Sequence, residues 1–319
     1  METTWNYSSD SRICDVTSWF EAKIKNKSYC YITLPEHFNE AWGDVHPMTS
    51  KKLEVKVKTS DNIYEFRISE NARNVTIKYP FNNICEENLN VHIVIIANLY
   101  FYSLYFLKKM LQQFIKSGLY QISHIHLFII SDDDNSIKED KINDLFENKM
   151  KVHIKILKEW NKYEDLSYIY NLTQTFPNHD YLLYYKLSDD KLEFDHFITE
   201  WRKCLFIFEN FTSINKIGIY VNDKGLTSKN NWWTRFSFLK TLEKPINSNN
   251  PKYYDEWISR SPYYDNETNE ELLFTRENYF ITYVDSWNLI GINNINLGIY
   301  LNEEEQTLEN TKSLFFFLS

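Results

Sequence analysis

Apolar and polar positions follow one rule in the first part of the chain and another in the rest. Up to about residue 88 the apolar runs are short and interrupted. Tyr29–Leu34, Lys52–Lys58, Ile63–Ile68 and Asn74–Tyr79 alternate apolar or β-branched residues with polar ones, the pattern of strands with one face buried and one in water. They predict a small antiparallel sheet, and Pro80–Asn88 reads as a connector. From Val91 the runs lengthen. Val91–Ala97 is almost wholly apolar, as a strand buried on both faces requires. Ser103–Ser117 carries Leu104, Leu107, Leu111, Phe114 and Ile115 at helical spacing, and Gly118 follows as a C-cap. His124–Ile130, Lys151–Leu157 and Tyr181–Leu187 predict three further strands. Helices are predicted over Ile137–Asn148 and over Glu164–Thr175, the latter closed by Pro177. Beyond Glu193 a helix through Trp201 and Phe208 precedes a strand at Lys216–Val221.

Strands alternating with helices across short connections imply a mostly parallel sheet with flanking helices, a Rossmann-type α/β fold, preceded by a small all-β domain. The boundary falls between residues 88 and 89, giving a β-rich accessory domain at 1–88 and an α/β domain at 89–319. In such sheets ligands bind beyond the C-terminal strand ends. That rule selects Ala97-Asn98, Ser131–Asp134 and Ser188–Asp190.

Composition narrows the function. With 43% hydrophobic and 25% charged residues, the 319-residue chain reads as globular. Only 6 glycines and 7 prolines leave little room for glycine-rich phosphate loops or flexible linkers. A net charge of −9 argues against a nucleic-acid partner. No apolar run approaches the roughly 20 residues of a membrane span, and Leu314–Leu318 reads as a packing plug or docking strip. Cys14, Cys30, Cys85 and Cys204 show no C-x-x-C spacing, so neither a zinc site nor a redox pair is indicated. With no signal peptide in view, reduced thiols in the cytoplasm are expected. The chain contains no nucleophile elbow, Walker loop or H-E-x-x-H, which removes support for hydrolase, NTPase and metalloprotease readings.

Chemistry-bearing residues gather at the selected strand ends and in one later segment. Asp189 and Asp190 follow the fourth strand of the α/β part, and Asp132 and Asp134 form a D-x-D after the second. Such carboxylates hold Mg²⁺ or Mn²⁺ against a diphosphate; the alternative is a solvated turn and helix N-cap. Ser228-Lys229-Asn230-Asn231-Trp232-Trp233-Thr234-Arg235 is the densest segment. Trp232 and Trp233 suit the apolar faces of a sugar ring, with Asn230 and Arg235 for its polar groups, or else they form a buried pair supporting a loop. Glu256, beside Asp255 and Trp257, is a candidate general base, since an adjacent indole desolvates it and raises its pKa. A surface carboxylate beside a packing Trp is the other reading. Arg235 and Lys186 are candidate phosphate partners or partners of neighbouring acids. His92, His124, His126 and His153 lie in or beside strands without metal spacing and read as core or strand-edge residues.

Four elements occur in an order that resembles a family. Ser117-Gly118-Leu119-Tyr120, Trp201-Arg202, the Ser228–Arg235 double-Trp segment and Tyr254-Asp255-Glu256-Trp257-Ile258 are similar to motifs of GT-A-type glycosyltransferase-like proteins of bacteria and large DNA viruses. The resemblance covers roughly residues 91–260. Where that family has H-T-K-G, this chain has Lys186-Leu187-Ser188-Asp189, and Lys229 stands at the glycine of S-G-N. Asp15-Val16-Thr17, Gly43-Asp44 and Lys51-Lys52-Leu53 resemble a small β-module found beside such enzymes.

The resemblance implies a GT-A-like fold and transfer of a sugar from a nucleotide-diphosphate sugar to a glycan, a protein-linked acceptor or another hydroxyl. The donor is expected across Ala97, Asn98, Asp132, Lys186 and Ser188, with Mn²⁺ or Mg²⁺ on Asp189 and Asp190. The sugar or acceptor is expected at Asn230, Trp232, Trp233 and Arg235, with Glu256, and less so Asp255, as base. Two rivals stand beside this. The altered H-T-K-G segment suits a catalytically silent glycan-binding or scaffolding protein, and the acidic strand ends suit a nucleotidyltransferase.

Overall fold

The computed structural model of the chain describes residues 2–9, 12–35, 37–45, 51–60, 63–69, 75–99, 104–131, 151–158, 162–187, 198–212, 214–219, 231–248, 253–254, 257–259, 279–284, 288–292 and 299–300. The expected helix over 137–148 and the run 314–318 lie outside them.

The N-terminal part is built on alternation. Strands β1 (Glu2–Ser9), β2 (Arg12–Asp15), β4 (Lys52–Lys58) and β5 (Ile63–Ser69) form an antiparallel sheet, while β3 (Cys30–Thr33) and β6 (Thr76–Tyr79) pair as a separate ribbon. In β4, Leu53, Val55 and Val57 point into the core and lysines and a glutamate lie between them, so a one-residue slip would turn the apolar set outward. Two helices, Thr17–Ile24 and Phe38–Trp42, add to the expected strands. They form because the sheet needs a cover. Phe20 stacks on Trp5 at 3.7 Å, and Phe38 and Trp42 close around Tyr7 at 5.9 and 5.3 Å. Asp15 Oδ1 accepts from the Thr17 amide at 2.8 Å, a turn that leads into the first helix one residue before its N-cap, Val16.

The second part is an eight-stranded α/β sheet. Strands β7 (Val91–Asn98), β8 (Ser123–Ile130), β9 (Lys151–Leu157) and β10 (Tyr181–Lys186) run parallel as expected. Joined by β11 (Ile214–Ile219), β12 (Trp232–Arg235), β13 (Tyr279–Val284) and β14 (Asn288–Ile292), they lie in the order β14-β13-β11-β12-β10-β7-β8-β9. Only β12 and β14 oppose the common direction. Val94 and Ile96 pack with Leu166, Ile169 and Leu172 of the Lys162–Thr175 helix. Ile93, Ile95 and Ala97 turn to the other face, towards Leu107, Met110, Leu111 and Phe114 of the Leu104–Ser117 helix. Burial on both faces is why β7 reads as an unbroken apolar run.

The two parts share one hydrophobic core, which runs from Trp5 and Tyr7 to Trp201, Phe206 and Trp233. Phe206, on the Trp201–Asn210 helix, stacks on Tyr64 at 3.9 Å. The Asn210 side chain accepts from the Asn82 amide at 2.6 Å and donates to the Asn82 carbonyl at 3.0 Å. A last strand, β15 (Ile299–Tyr300), extends the N-terminal sheet at its β5 edge, so chain from beyond residue 89 completes the first sheet. Among the described residues no helix is long and apolar enough to cross a membrane.

Two of the motifs behind the resemblance meet in space. The Leu104–Ser117 helix ends at Gly118, whose φ of 77° is left-handed. The Ser117 carbonyl there accepts from Trp201 Nε1 at 3.0 Å and from Arg202 Nη1 at 3.3 Å. Arg202 Nε in turn donates to Glu86 at 2.6 Å. The Trp-Arg pair thus caps a helix C-terminus, where a cation is electrostatically favoured.

Candidate functional site at the carboxyl edge of the sheet

The chain order fixes where a ligand fits. From β7 the chain adds β8 and then β9 on one side, and crosses back to lay β10 on the other side of β7. The strand order reverses between β7 and β10, and the crevice beyond the C-terminal ends of those two strands is the switch point at which open α/β sheets take their ligands.

Asn98, Lys186 and Asn231 are polar residues at this edge. Asn98 ends β7 half-buried, one residue beyond the fully buried Ala97. Lys186 ends β10, also half-buried, level with Ile96. Asn231, 1% exposed, precedes β12 and accepts at Oδ1 from the Lys186 amide at 2.7 Å. Main-chain bonds carry the ladders on: Leu187 N donates to the Ile96 carbonyl at 2.8 Å, Leu99 N to Ile130 at 3.0 Å and Ser131 N to Leu157 at 3.1 Å. Sequence order therefore brings Ala97, Asn98 and Lys186 to one edge. Asp132, Ser188, Asp189, Asp190, Asn230, Asp255 and Glu256 lie outside the described residues. Among the described residues no group of three His, Cys, Asp or Glu side chains is placed to hold a metal.

The double-Trp segment sits otherwise than as an open wall. Trp232 and Trp233 are consecutive residues of β12, so their side chains go to opposite faces of the sheet. Trp233 is fully buried on the face of the Leu104–Ser117 helix, and Trp232, 3% exposed, stacks on Tyr184 at 5.0 Å on the other. The pair packs the sheet from both sides, which corrects the expectation of a shared stacking surface.

Arg235 is displaced for a related reason. Because β12 runs antiparallel to β10, Arg235 pairs with Tyr181 at the amino end of β10, roughly 16 Å along the strand from Lys186. Its guanidinium donates to the carbonyls of Ile214 at 2.8 Å, of Phe211 at 3.0 Å and of Phe208. Burial lowers its pKa from the ordinary arginine value. Arg235 is a main-chain clamp at the end of the sheet opposite the switch point. Asn231, at the other end of β12 from Arg235, was not singled out by the sequence reading. Nothing marks one more amide in an Asn-rich chain until the antiparallel entry of β12 is known.

A second polar cluster lies on the amino half of the same sheet. His92 and His126 are buried side by side on β7 and β8, as core histidines were expected to be. Asp180 Oδ2 lies 3.2 Å from His92 Nε2, His92 Nδ1 lies 3.3 Å from His126 Nε2, and His126 Nδ1 lies 2.8 Å from the Tyr168 hydroxyl. One set of protons satisfies the row. Tyr168 donates to His126, His126 to His92 and His92 to the Asp180 carboxylate, with both imidazoles neutral. Charging either ring costs desolvation rather than a hydrogen bond, because the Tyr168 hydroxyl can turn and accept. Burial first, and neighbouring histidines second, lower the pKa of His92 to about 4 and of His126 to about 3. Burial alone lowers Lys216, on β11, to about 7.

The chain matches no family model and no curated protein. Among solved structures it is similar to a sialyltransferase from Photobacterium damsela, with 14% identity and a TM-score of 0.22 over 58% of this chain and 31% of that one. It is also similar to a protein of Desulfovibrio desulfuricans G20 classed provisionally as a nucleotide-diphospho-sugar transferase, with 10% identity and a TM-score of 0.29 over 48% of this chain and 64% of that one. A third likeness is to residues 1–349 of TarS from S. aureus, with 10% identity and a TM-score of 0.33 over 53% and 54%. The chain thus spans from under a third to under two thirds of these proteins. With superpositions this partial, the site is read from the sheet and its residues alone.

Proposed function

We propose that the chain is a glycosyltransferase that moves a sugar from a nucleotide-diphosphate sugar to a hydroxyl of a glycan or protein-linked acceptor. The observation that carries this reading is the switch point between β7 and β10, with Asn98, Lys186 and Asn231 at one carboxyl edge. The motif resemblance adds the direction of the chemistry. Lys186 contributes a cation for the diphosphate. Asp132 and Ser188 follow directly on the ends described for β8 and β10 and complete the donor site in this reading.

Asp189 and Asp190 are hard oxygen donors just beyond β10, a set that fits Mg²⁺ or Mn²⁺. Such an ion, when bound, neutralises charge on the departing nucleotide diphosphate. Glu256 takes the proton of the acceptor hydroxyl, with Asp255 beside it. As the acceptor oxygen bonds to the anomeric carbon, the bond from that carbon to the diphosphate oxygen breaks and its electron pair leaves with the nucleotide. The N-terminal sheets serve as an accessory surface for acceptor or partner.

The test is a thermal-shift screen of the whole protein against UDP-glucose, GDP-mannose and dTDP-glucose, with and without Mn²⁺. A ligand at about 100 times its Kd adds roughly 2.7 kcal/mol and raises the melting temperature clearly. With the responding donor, Glu256→Gln is expected to lower turnover roughly 10²-fold or more while donor affinity is kept. Absence of any response overturns the reading in favour of a silent glycan-binding protein.

A further inference from the structure

Asn231 carries more than its bond to Lys186. Its Oδ1 is fixed as the acceptor, because a flipped amide would set Nδ2 against the Lys186 N–H. Nδ2 is then a donor, it is buried, and among the described residues it has no hydrogen-bond partner. A buried donor left unpaired is costly, and natural sites of this kind are usually completed by something. Its position supplies the candidate. Asn231 sits at the carboxyl edge of β10, beside the switch point, and is tied to the main chain of Lys186, the last residue of that strand.

We propose that Asn231 is a ligand-binding residue whose Nδ2 donates to a phosphate oxygen of the nucleotide-diphosphate sugar, while its Oδ1 fixes the end of β10. This rests on the donor-binding reading above and names a contact within it. A buried N–H donor at the end of a strand closed by a lysine suits an oxygen with several lone pairs and negative charge, which a phosphate offers. The segment's work is thereby divided along β12: Asn231 reads the ligand at one end and Arg235 clamps main chain at the other.

Asn231→Asp separates the two atoms of the amide. It keeps an oxygen to accept from the Lys186 N–H, and replaces the donor by a second, negatively charged acceptor. Binding is measured by calorimetry with UDP-glucose, GDP-mannose and dTDP-glucose, alongside ligand-free melting temperatures. Asn231→Ala gives the cost of losing both atoms. The expected result is that N231D binds the wild-type donor about tenfold more weakly or worse, with ligand-free melting closer to wild type than that of N231A. Unchanged affinity in N231D overturns the proposal. So does a drop in ligand-free stability that matches N231A and accounts for the lost binding. Should N231D fail to fold, the wild-type Asn231 side-chain amide resonance replaces it as the readout: a downfield shift on adding donor supports the contact and no shift refutes it. A wild type that binds none of the three nucleotide-diphosphate sugars fails earlier, at the donor-binding reading itself.

Discussion

Lowering the pH from 7 to 5 is expected to weaken the fold through His92 and His126. Both stand neutral in the row from Tyr168 to Asp180, with folded pKa values lowered to about 4 and about 3. In the unfolded chain each titrates near 6.5. Between those values the unfolded chain binds protons that the folded chain refuses, so stability is retained above about pH 6.5 and lost as the pH falls towards 4 and 3. Each histidine then removes about 2 kcal/mol between pH 7 and 5, or about 4 kcal/mol together if they act independently. Asp180 pulls the other way. Burial raises its pKa, so the folded chain holds that proton more readily and recovers part of the loss. Lys216, lowered to about 7, changes stability chiefly above pH 7 and leaves this window to the histidines. Urea unfolding at pH 7, 6 and 5 measures the effect, which amounts to a midpoint lower by about 1 M or more. The His92→Gln, His126→Gln double variant is expected to show a flatter dependence. A wild-type stability that is level between pH 7 and 5, or a double variant with the wild-type slope, would refute the reasoning.

The other substitutions probe the frame around the site. Arg235→Lys is expected to destabilise by about 3 kcal/mol or more, because one ammonium cannot serve the three carbonyls of Ile214, Phe208 and Phe211. Urea unfolding checks it, and donor affinity per folded molecule should stay unchanged. Gly118→Ala is expected to cost only about 1 kcal/mol, the price of a left-handed φ for an L-residue. The added Cβ meets nothing nearer than Arg202 Nη2 at 3.8 Å, an ordinary contact. A loss several times larger by urea unfolding would mean that the Trp201-Arg202 cap had been displaced.

How much of this was legible depended on how each element is buried. Strands β7, β8 and β10 lie between two layers, and that condition writes long apolar runs such as Val91–Ala97 into the sequence, whereas the edge strand β9 alternates. The strand β12 left no such trace: Trp-Trp-Thr-Arg is four residues long, and two adjacent indoles suggest one surface until a strand separates them. β1 was equally silent, since only Trp5 and Tyr7 are large among its polar residues. The first helices were missed because their aromatics, Trp19, Phe20, Phe38 and Trp42, show a helical face only against the sheet they cover. At the site, strand order placed Asn98 at the edge, and Lys186, chosen for its charge, ends the neighbouring strand level with Ile96. The sequence reading misplaced Arg235, because proximity in sequence to the Trp pair is not proximity to the edge when the strand runs backwards.

The same geometry separates two kinds of motif that look alike in sequence. Ser117-Gly118 and Trp201-Arg202 stand 84 residues apart in the Trp201–Ser117 bond, yet they form one device, a helix end closed by an indole N–H and a guanidinium. Its parts satisfy each other, and Arg202 is further occupied by Glu86. A chain can carry this device for folding alone, without any chemistry attached. Asn231 differs in kind, because one of its two polar atoms is used internally and the other, among the described residues, is not. Internal satisfaction suits residues that hold the sheet in shape, and in the proposal above the buried donor left over on Asn231 is satisfied by the ligand.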